Sequence, residues 1–179
     1  AMGDVSVFSF DPMKNMPSFG GGGMVLTDSK EVYDNVTSLR RHGISGKHNY
    51  GYNSLIPEDH ANQLLLLLKK FDKLQGMRDK LCKRYKKNLP ELQLICAGPN
   101  TKSSNHKLVI LADRRDELKS YLETKGVETK IHYTKTLDTQ NNGHYPNAER
   151  MCAKALSLPI YPHLKIKEVD YVCAKIKEF

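Results

Sequence analysis

The chain has no tryptophan, and no apolar run exceeds five residues, the length of the leucine run Leu64 to Leu68. A bilayer-spanning helix needs about 20 apolar residues, so that run falls far short of a membrane span. Cysteine is scarce as well. Cys82, Cys96, Cys152 and Cys173 form no CxxC pair and no Cys/His ligand spacing. That spacing supports no metal site, and it points to free thiols in a reducing cytoplasm. No basic, apolar, small-residue leader opens the chain, so secretion is not expected. Ala1-Met2 ahead of Gly3 reads as a cloning remnant, with the true start elsewhere. Acid is in deficit, with 20 Asp and Glu against 28 Lys and Arg, a net charge of +8. Nucleic-acid binding is still not expected. The lysines are dispersed, only Lys80–Lys87 is locally dense, and no aromatic stacking platform lies between them. A basic surface near a cleft would instead favour a phosphorylated cofactor or a nucleotide-linked substrate.

What is present is a globular composition, with 39% hydrophobic and 27% charged residues over 179 positions. Such a length holds one domain, or one domain and part of another. The most informative residue is Lys14. It lies between two strand-like segments, Val5–Phe10 and Gly23–Thr27, with turn formers at each break. A lysine so placed is expected to pack against neighbours. Partial burial would lower its pKa and free its lone pair for imine chemistry. The run Gly20-Gly21-Gly22-Gly23 is not a Walker loop, because Met24-Val25-Leu26 follows it where Lys-Ser/Thr and a helix would be needed. A dinucleotide fingerprint fails on the same ground. The glycines are either a flexible turn or a place where backbone approaches a ligand closely.

Downstream, Ser29–Arg41 reads as a helix capped by Asp28 or Ser29 and ended by Gly43. Pro57-Glu58 starts a long helix to about Lys87, with Leu64, Leu68, Phe71, Leu74, Met77 and Leu81 at helical spacing. Beyond Pro90 the pattern becomes α+β. Strands are predicted over Leu92–Cys96, Lys107–Ala112 and Val127–Tyr133. Helices are predicted over Arg115–Lys125, Asn147–Leu156 and Lys165–Phe179, with Ser157–Pro162 linking the last two. The predicted organisation is 1–56 as the end of one domain, 57–89 as a linking helix and 90–179 as a small complete domain.

These motifs occur together in one order: Gly3-Asp4, then Ser9-Phe10-x-Pro12-x-Lys14-Asn15, Gly-x-Gly-Gly at 20–23, Leu39-Arg40-Arg41-His42-Gly43 and Gly51-Tyr52-Asn53-Ser54. Lys125–Tyr133, Ala155–Pro162 and a closing helix complete the series. In that order the chain resembles the DegT/DnrJ/StrS-type sugar aminotransferases, which use pyridoxal phosphate (PLP). The resemblance implies an α/β chain: the C-terminal half of a fold type I aminotransferase, with the end of the large domain and the small C-terminal domain. It implies that Lys14 is the Schiff-base lysine and proton shuttle, that Ser9 binds the cofactor phosphate, and that Asn53 reaches the phosphate in the partner subunit. A homodimer with shared active sites follows from that last role. The resemblance also puts His42 and Tyr133 near the sugar-binding cleft. On the residues alone, His42 also reads as a helix-end histidine touching carbonyls, and Tyr133 as a half-buried strand tyrosine. The reaction implied is amino transfer from glutamate to a keto sugar carried on a nucleotide.

The chain departs from the family pattern where the substrate would lie. Asp11 stands in place of a His, Tyr or other larger residue. Gly21 stands in place of an acid, and Leu55 in place of the Arg that follows Tyr-Asn-Ser. In the stretch His132–Gln140 both prolines are lost, and Asp138 replaces the second histidine. The family's pyridine-pairing aspartate, stacking residue and Gly-Ser/Thr phosphate loop have no counterpart in these residues. Little or no turnover is expected of the chain by itself, and a non-catalytic dimerisation or regulatory module is the competing reading.

Overall fold

The computed structural model describes residues 3–44, 50–95, 98, 100–137 and 143–179. Cys96, Asp138, Gln140 and the middle of the loop after Gly43 lie outside the described residues. The chain divides into two compact units, residues 1–71 and 72–179.

The first unit begins with an antiparallel hairpin, β1 (Val5–Ser9) and β2 (Gly23–Thr27), in register Val7↔Val25 and Phe8↔Met24. β-Branched and aromatic residues make both strands, and the long connection between them folds back on itself. Phe10 N–H donates to Gly22 O at 2.8 Å, and Ser18 N–H donates to Phe10 O at 2.9 Å. Phe10 and Ser18 are buried there. Helix α1 (Lys30–Leu39) follows, with Ser29 Oγ accepting from Val32 N–H as its N-cap. Next comes α2 (Glu58–Asn88), a continuous helix of 31 residues within which the boundary between the units falls.

The second unit holds the main core. A three-stranded antiparallel sheet has the order β3 (Gln93–Leu94), β4 (Leu108–Leu111), β5 (Ala155–Leu158). Helices α3 (Arg115–Thr124), α4 (Pro146–Lys154) and α5 (Ile166–Glu178) complete it. Tyr85, Leu89, Ile110, Leu122, Leu156 and Val169 are fully buried. They join the carboxyl-terminal half of α2 to the sheet, α3 and α5 in one apolar cluster. Tyr85 satisfies its hydroxyl by donating to Pro159 O at 3.0 Å. Arg84 binds both carboxylate oxygens of Asp170, at 2.6 and 2.8 Å, and Asn88 donates to the same group at 2.7 Å. Those bonds tie α2 to α5.

Two expected elements come out differently. The helix expected over Asn147–Leu156 stops at Lys154, and Ala155–Leu158 is a fully buried strand paired with β4. Ala155-Leu156-Ser157-Leu158 suits either conformation locally, and the free edge of β4 decides for the strand. The strand expected over Val127–Tyr133 shrinks to one bridge, Lys130↔Ser157. Among the described residues only Lys130 meets the outer edge of β5, through bonds of 3.1 and 2.8 Å with Ser157. Cys82, Cys152 and Cys173 lie in helices and form no disulfide among the described residues.

Candidate functional site

Lys14 lies in the β1–β2 connection, as its flanking residues predict, but it is not packed. It is exposed, and among the described residues it enters no ion pair. The local turn accounts for this. Asp11 Oδ1 accepts from Met13 N–H at 2.8 Å, and Asp11 O accepts from Lys14 N–H at 2.9 Å, so the chain bends tightly at the surface. The expectation of a partly buried lysine with a freed lone pair is therefore corrected for this chain. Ser9, at the end of β1, is exposed too. Its Oγ accepts from Asp11 N–H at 3.3 Å, which leaves the hydroxyl proton for another acceptor.

The glycine run beyond Lys14 is not uniform. A Cβ at Gly22 would meet Ile56 Cδ1 at 3.2 Å and Phe10 Cβ and Ser18 Oγ at 3.4 Å each, whereas a Cβ at Gly21 would meet no atom within 4 Å. The run is a close packing point at Gly22 and an open position at Gly21.

His42 and Asn53 sit in a backbone crossing at the exit of α1. Tyr52 N–H donates to Leu39 O at 2.6 Å, His42 N–H to Tyr52 O at 3.1 Å and Ser54 N–H to Arg40 O at 3.1 Å. Arg41 and Asn53 form the bridge at its centre. His42 has φ 62° and Gly43 φ 78°, so two successive residues are left-handed where the chain leaves the helix. Both the His42 and the Asn53 side chains are exposed.

Tyr133 belongs to the second unit and is 71% exposed outside any strand, which overturns its reading as a half-buried strand tyrosine. Its ring lies 5.9 Å from Lys107 Nζ. The neighbouring His132 bonds Ser157 Oγ through Nδ1 at 2.9 Å. Burial, then the charges of Lys107 and Lys130, hold the His132 imidazole below its ordinary pKa and favour the neutral ring. Sequence reasoning missed Lys107. It lies 26 positions from Tyr133 and just before β4, so no local spacing could have joined the two.

By donor chemistry, the exposed Lys14 amine, in no ion pair among the described residues, suits the aldehyde carbon of PLP, the Ser9 hydroxyl suits its phosphate, and the exposed Asn53 amide is a donor that a phosphate held by a partner subunit would take. Among the described residues no cluster of His, Cys, Asp and Glu could hold a metal ion, and no helix is long and apolar enough to cross a membrane.

Comparison with known proteins shows the family. The profile of the DegT/DnrJ/EryC1/StrS aminotransferase family matches residues 1–177. The dTDP-3-amino-3,4,6-trideoxy-alpha-D-glucose transaminase of Streptomyces venezuelae is 32% identical over 98% of the chain and 50% of its own length. A pleiotropic regulatory protein of Geobacillus stearothermophilus is 32% identical over 99% of the chain and 52% of its own length. Among solved structures, S. venezuelae DesV in complex with a ketimine intermediate superposes with a TM-score of 0.92 at 32% identity, covering 98% of the chain and 52% of DesV. A DegT DnrJ EryC1 StrS aminotransferase from Brucella abortus gives 0.91 at 28% identity, covering 99% and 51%. The chain therefore spans about half the length of the relatives it matches, and its mixed α/β architecture is part of the fold type I aminotransferase. With residues 1–177 matched by the family profile and its fold shared, this chain belongs to the DegT/DnrJ/EryC1/StrS aminotransferase family.

Proposed function

We propose that the chain is the lysine-bearing C-terminal half of a PLP-dependent aminotransferase that moves an amino group from glutamate to a keto sugar carried on a nucleotide. The observation that carries the reading is Lys14, exposed and unpaired in the β1–β2 connection with the Ser9 hydroxyl five residues before it. Relatives named as transaminases of dTDP- and UDP-linked sugars, and one named as a GDP-perosamine synthase, support the substrate class. In this reading residues 1–56 end the large domain, 57–89 link, and 90–179 form the small domain. The assembly is a cytoplasmic homodimer with shared active sites.

PLP, when bound, supplies an electrophilic aldehyde and a conjugated ring that takes up electrons from the reacting carbon. Lys14 is the residue that holds it covalently, and its Nζ, once released, accepts a proton from the donor's α-carbon and returns one at the sugar carbon. Ser9 Oγ–H would donate to the phosphate of the cofactor held by its own Lys14, and Asn53 Nδ2–H to the phosphate of the cofactor in the partner subunit. His42 and Tyr133 contact the sugar. The residue that would pair with the ring nitrogen is not supplied by the matched motifs, so full activity requires the remaining half of the fold.

The reading is tested with a protein that carries this chain joined to that remaining half. Given [15N]glutamate and a nucleotide-linked keto sugar, it should place 15N on the sugar, as mass spectrometry would show. Lys14→Ala should lower the rate by at least about 1,000-fold, the scale of a lost nucleophile and proton shuttle. A Lys14→Ala protein that retains turnover would refute the assignment. The competing module without catalysis draws on the exchanges at Asp11, Gly21 and Leu55 and on the regulatory name of the G. stearothermophilus relative. It predicts a folded dimer that takes up no cofactor.

A further inference from the structure

Gly51 occupies a position that no side chain can fill. A Cβ there would lie 2.2 Å from Gly43 N, 2.5 Å from His42 C and 2.7 Å from Leu39 O. All three are backbone atoms, which cannot swing aside as a flexible side chain would. The contact is the point where the 51–54 segment passes over the exit of α1. From there the three bonds Tyr52 N–H to Leu39 O, His42 N–H to Tyr52 O and Ser54 N–H to Arg40 O lock the two segments together. Asn53 lies inside this clasp, two residues from Gly51, bridged to Arg41. On the other strand of the clasp, the left-handed His42 and Gly43 turn the chain so that Gly43 N–H reaches back to Ser38 O at 2.9 Å. The approach is thus tight on both sides.

We infer that Gly51 is a positioning residue for Asn53: its missing side chain lets the clasp close and sets the asparagine amide where it can donate to the cofactor phosphate. The inference rests on the proposed cofactor role of Asn53 and deepens it. An asparagine on an ordinary exposed loop would pay rotamer and backbone entropy on each binding event. Held between Tyr52 and Ser54, whose amides are both spent on the helix exit, its backbone is fixed beforehand.

The experiment uses the whole chain and four proteins: parent, Gly51→Ala, Asn53→Ala and the double variant. PLP affinity is read by absorbance titration, amide exchange at Tyr52 and Ser54 by NMR, and folding by thermal unfolding. Asn53→Ala should weaken PLP about tenfold, the loss expected for one hydrogen bond to a charged oxygen. Gly51→Ala should weaken it by a similar factor and speed exchange at both amides. The double variant should bind no worse than Asn53→Ala, because residues acting through one contact are non-additive. A purely structural glycine would instead give losses that multiply in the double variant, and that result would overturn the inference. So would Gly51→Ala binding PLP as the parent does. Should Gly51→Ala fail to fold, Gly43→Ala is the second probe, since φ 78° strains alanine on the other side of the same clasp. It should weaken PLP in the parent background and not in the Asn53→Ala background. A parent chain that takes up no PLP contradicts the cofactor reading itself, an outcome distinct from uptake that is indifferent to Gly51.

Discussion

Single residues divide here into those the backbone demands and those it merely permits. Gly51 is demanded, because a Cβ there meets backbone atoms at 2.2 to 2.7 Å, and Gly22 is closely packed, because a Cβ there meets side chains from 3.2 Å. Gly21 is permitted, since its surroundings are open, and the acid that the family pattern carries there would fit. Gly21→Glu should therefore change the unfolding free energy by no more than about 0.5 kcal/mol, as surface exchanges do. Gly22→Ala should cost about 1–3 kcal/mol through overpacking against Ile56, Phe10 and Ser18. Urea unfolding of the two variants followed by circular dichroism checks the contrast, and equal costs would contradict it. The same scale explains one failed expectation. The sequence places Lys14 between two strands, but it says nothing of what lies over the turn, so exposure could not be foreseen from it. The order of motifs marked Lys14, Ser9 and Asn53, yet the closeness of Gly51 to Gly43 is a three-dimensional fact with no local sign.

Helices were the most legible elements, for a physical reason. The stripe Leu64, Phe71, Leu74, Leu81 and the capping Pro57-Glu58 specify α2 without help from other segments, and it runs Glu58–Asn88. β5 was missed because four residues, Ala155-Leu156-Ser157-Leu158, do not declare their period until a partner strand is known. The α2–α5 tie is likewise invisible in sequence, since Arg84 and Asp170 are 86 residues apart. Its chemistry gives a pH dependence. The Arg84 hydrogen bond, with that of Asn88, holds the Asp170 carboxyl below its usual pKa. Folding therefore gains from the ionised form. The gain is complete above the unfolded carboxylate value of about 4 and is lost as pH falls through the lower folded value. Asp170→Asn should thus unfold at lower urea than the parent at pH 7, with the gap narrowing below about pH 4. A gap that stays constant from pH 7 to pH 3 would show that the pair contributes nothing through charge.

For the whole molecule, the two units differ in how much they bury. Residues 72–179 enclose a continuous core from Leu81 to Cys173, whereas in residues 1–71 only Phe10 and Leu64 are buried hydrophobics among the described residues. Val7 at 76% exposure and Phe8 at 48% lie on opposite faces of the β1–β2 hairpin. A two-stranded sheet apolar on both sides is the pattern of a strand pair that belongs inside a layered α/β fold. That agrees with a chain spanning half of its relatives. The cofactor-holding residues would thus sit on the less complete unit, and the family's ring-nitrogen partner on the other half. The most direct measurement is chemical. The chain is incubated with PLP, reduced with borohydride, digested and mapped by mass spectrometry. The account predicts one phosphopyridoxyl group on the peptide containing Lys14, absent from Lys14→Arg. Label scattered over exposed lysines such as Lys69 and Lys70, or retained by Lys14→Arg, would contradict it.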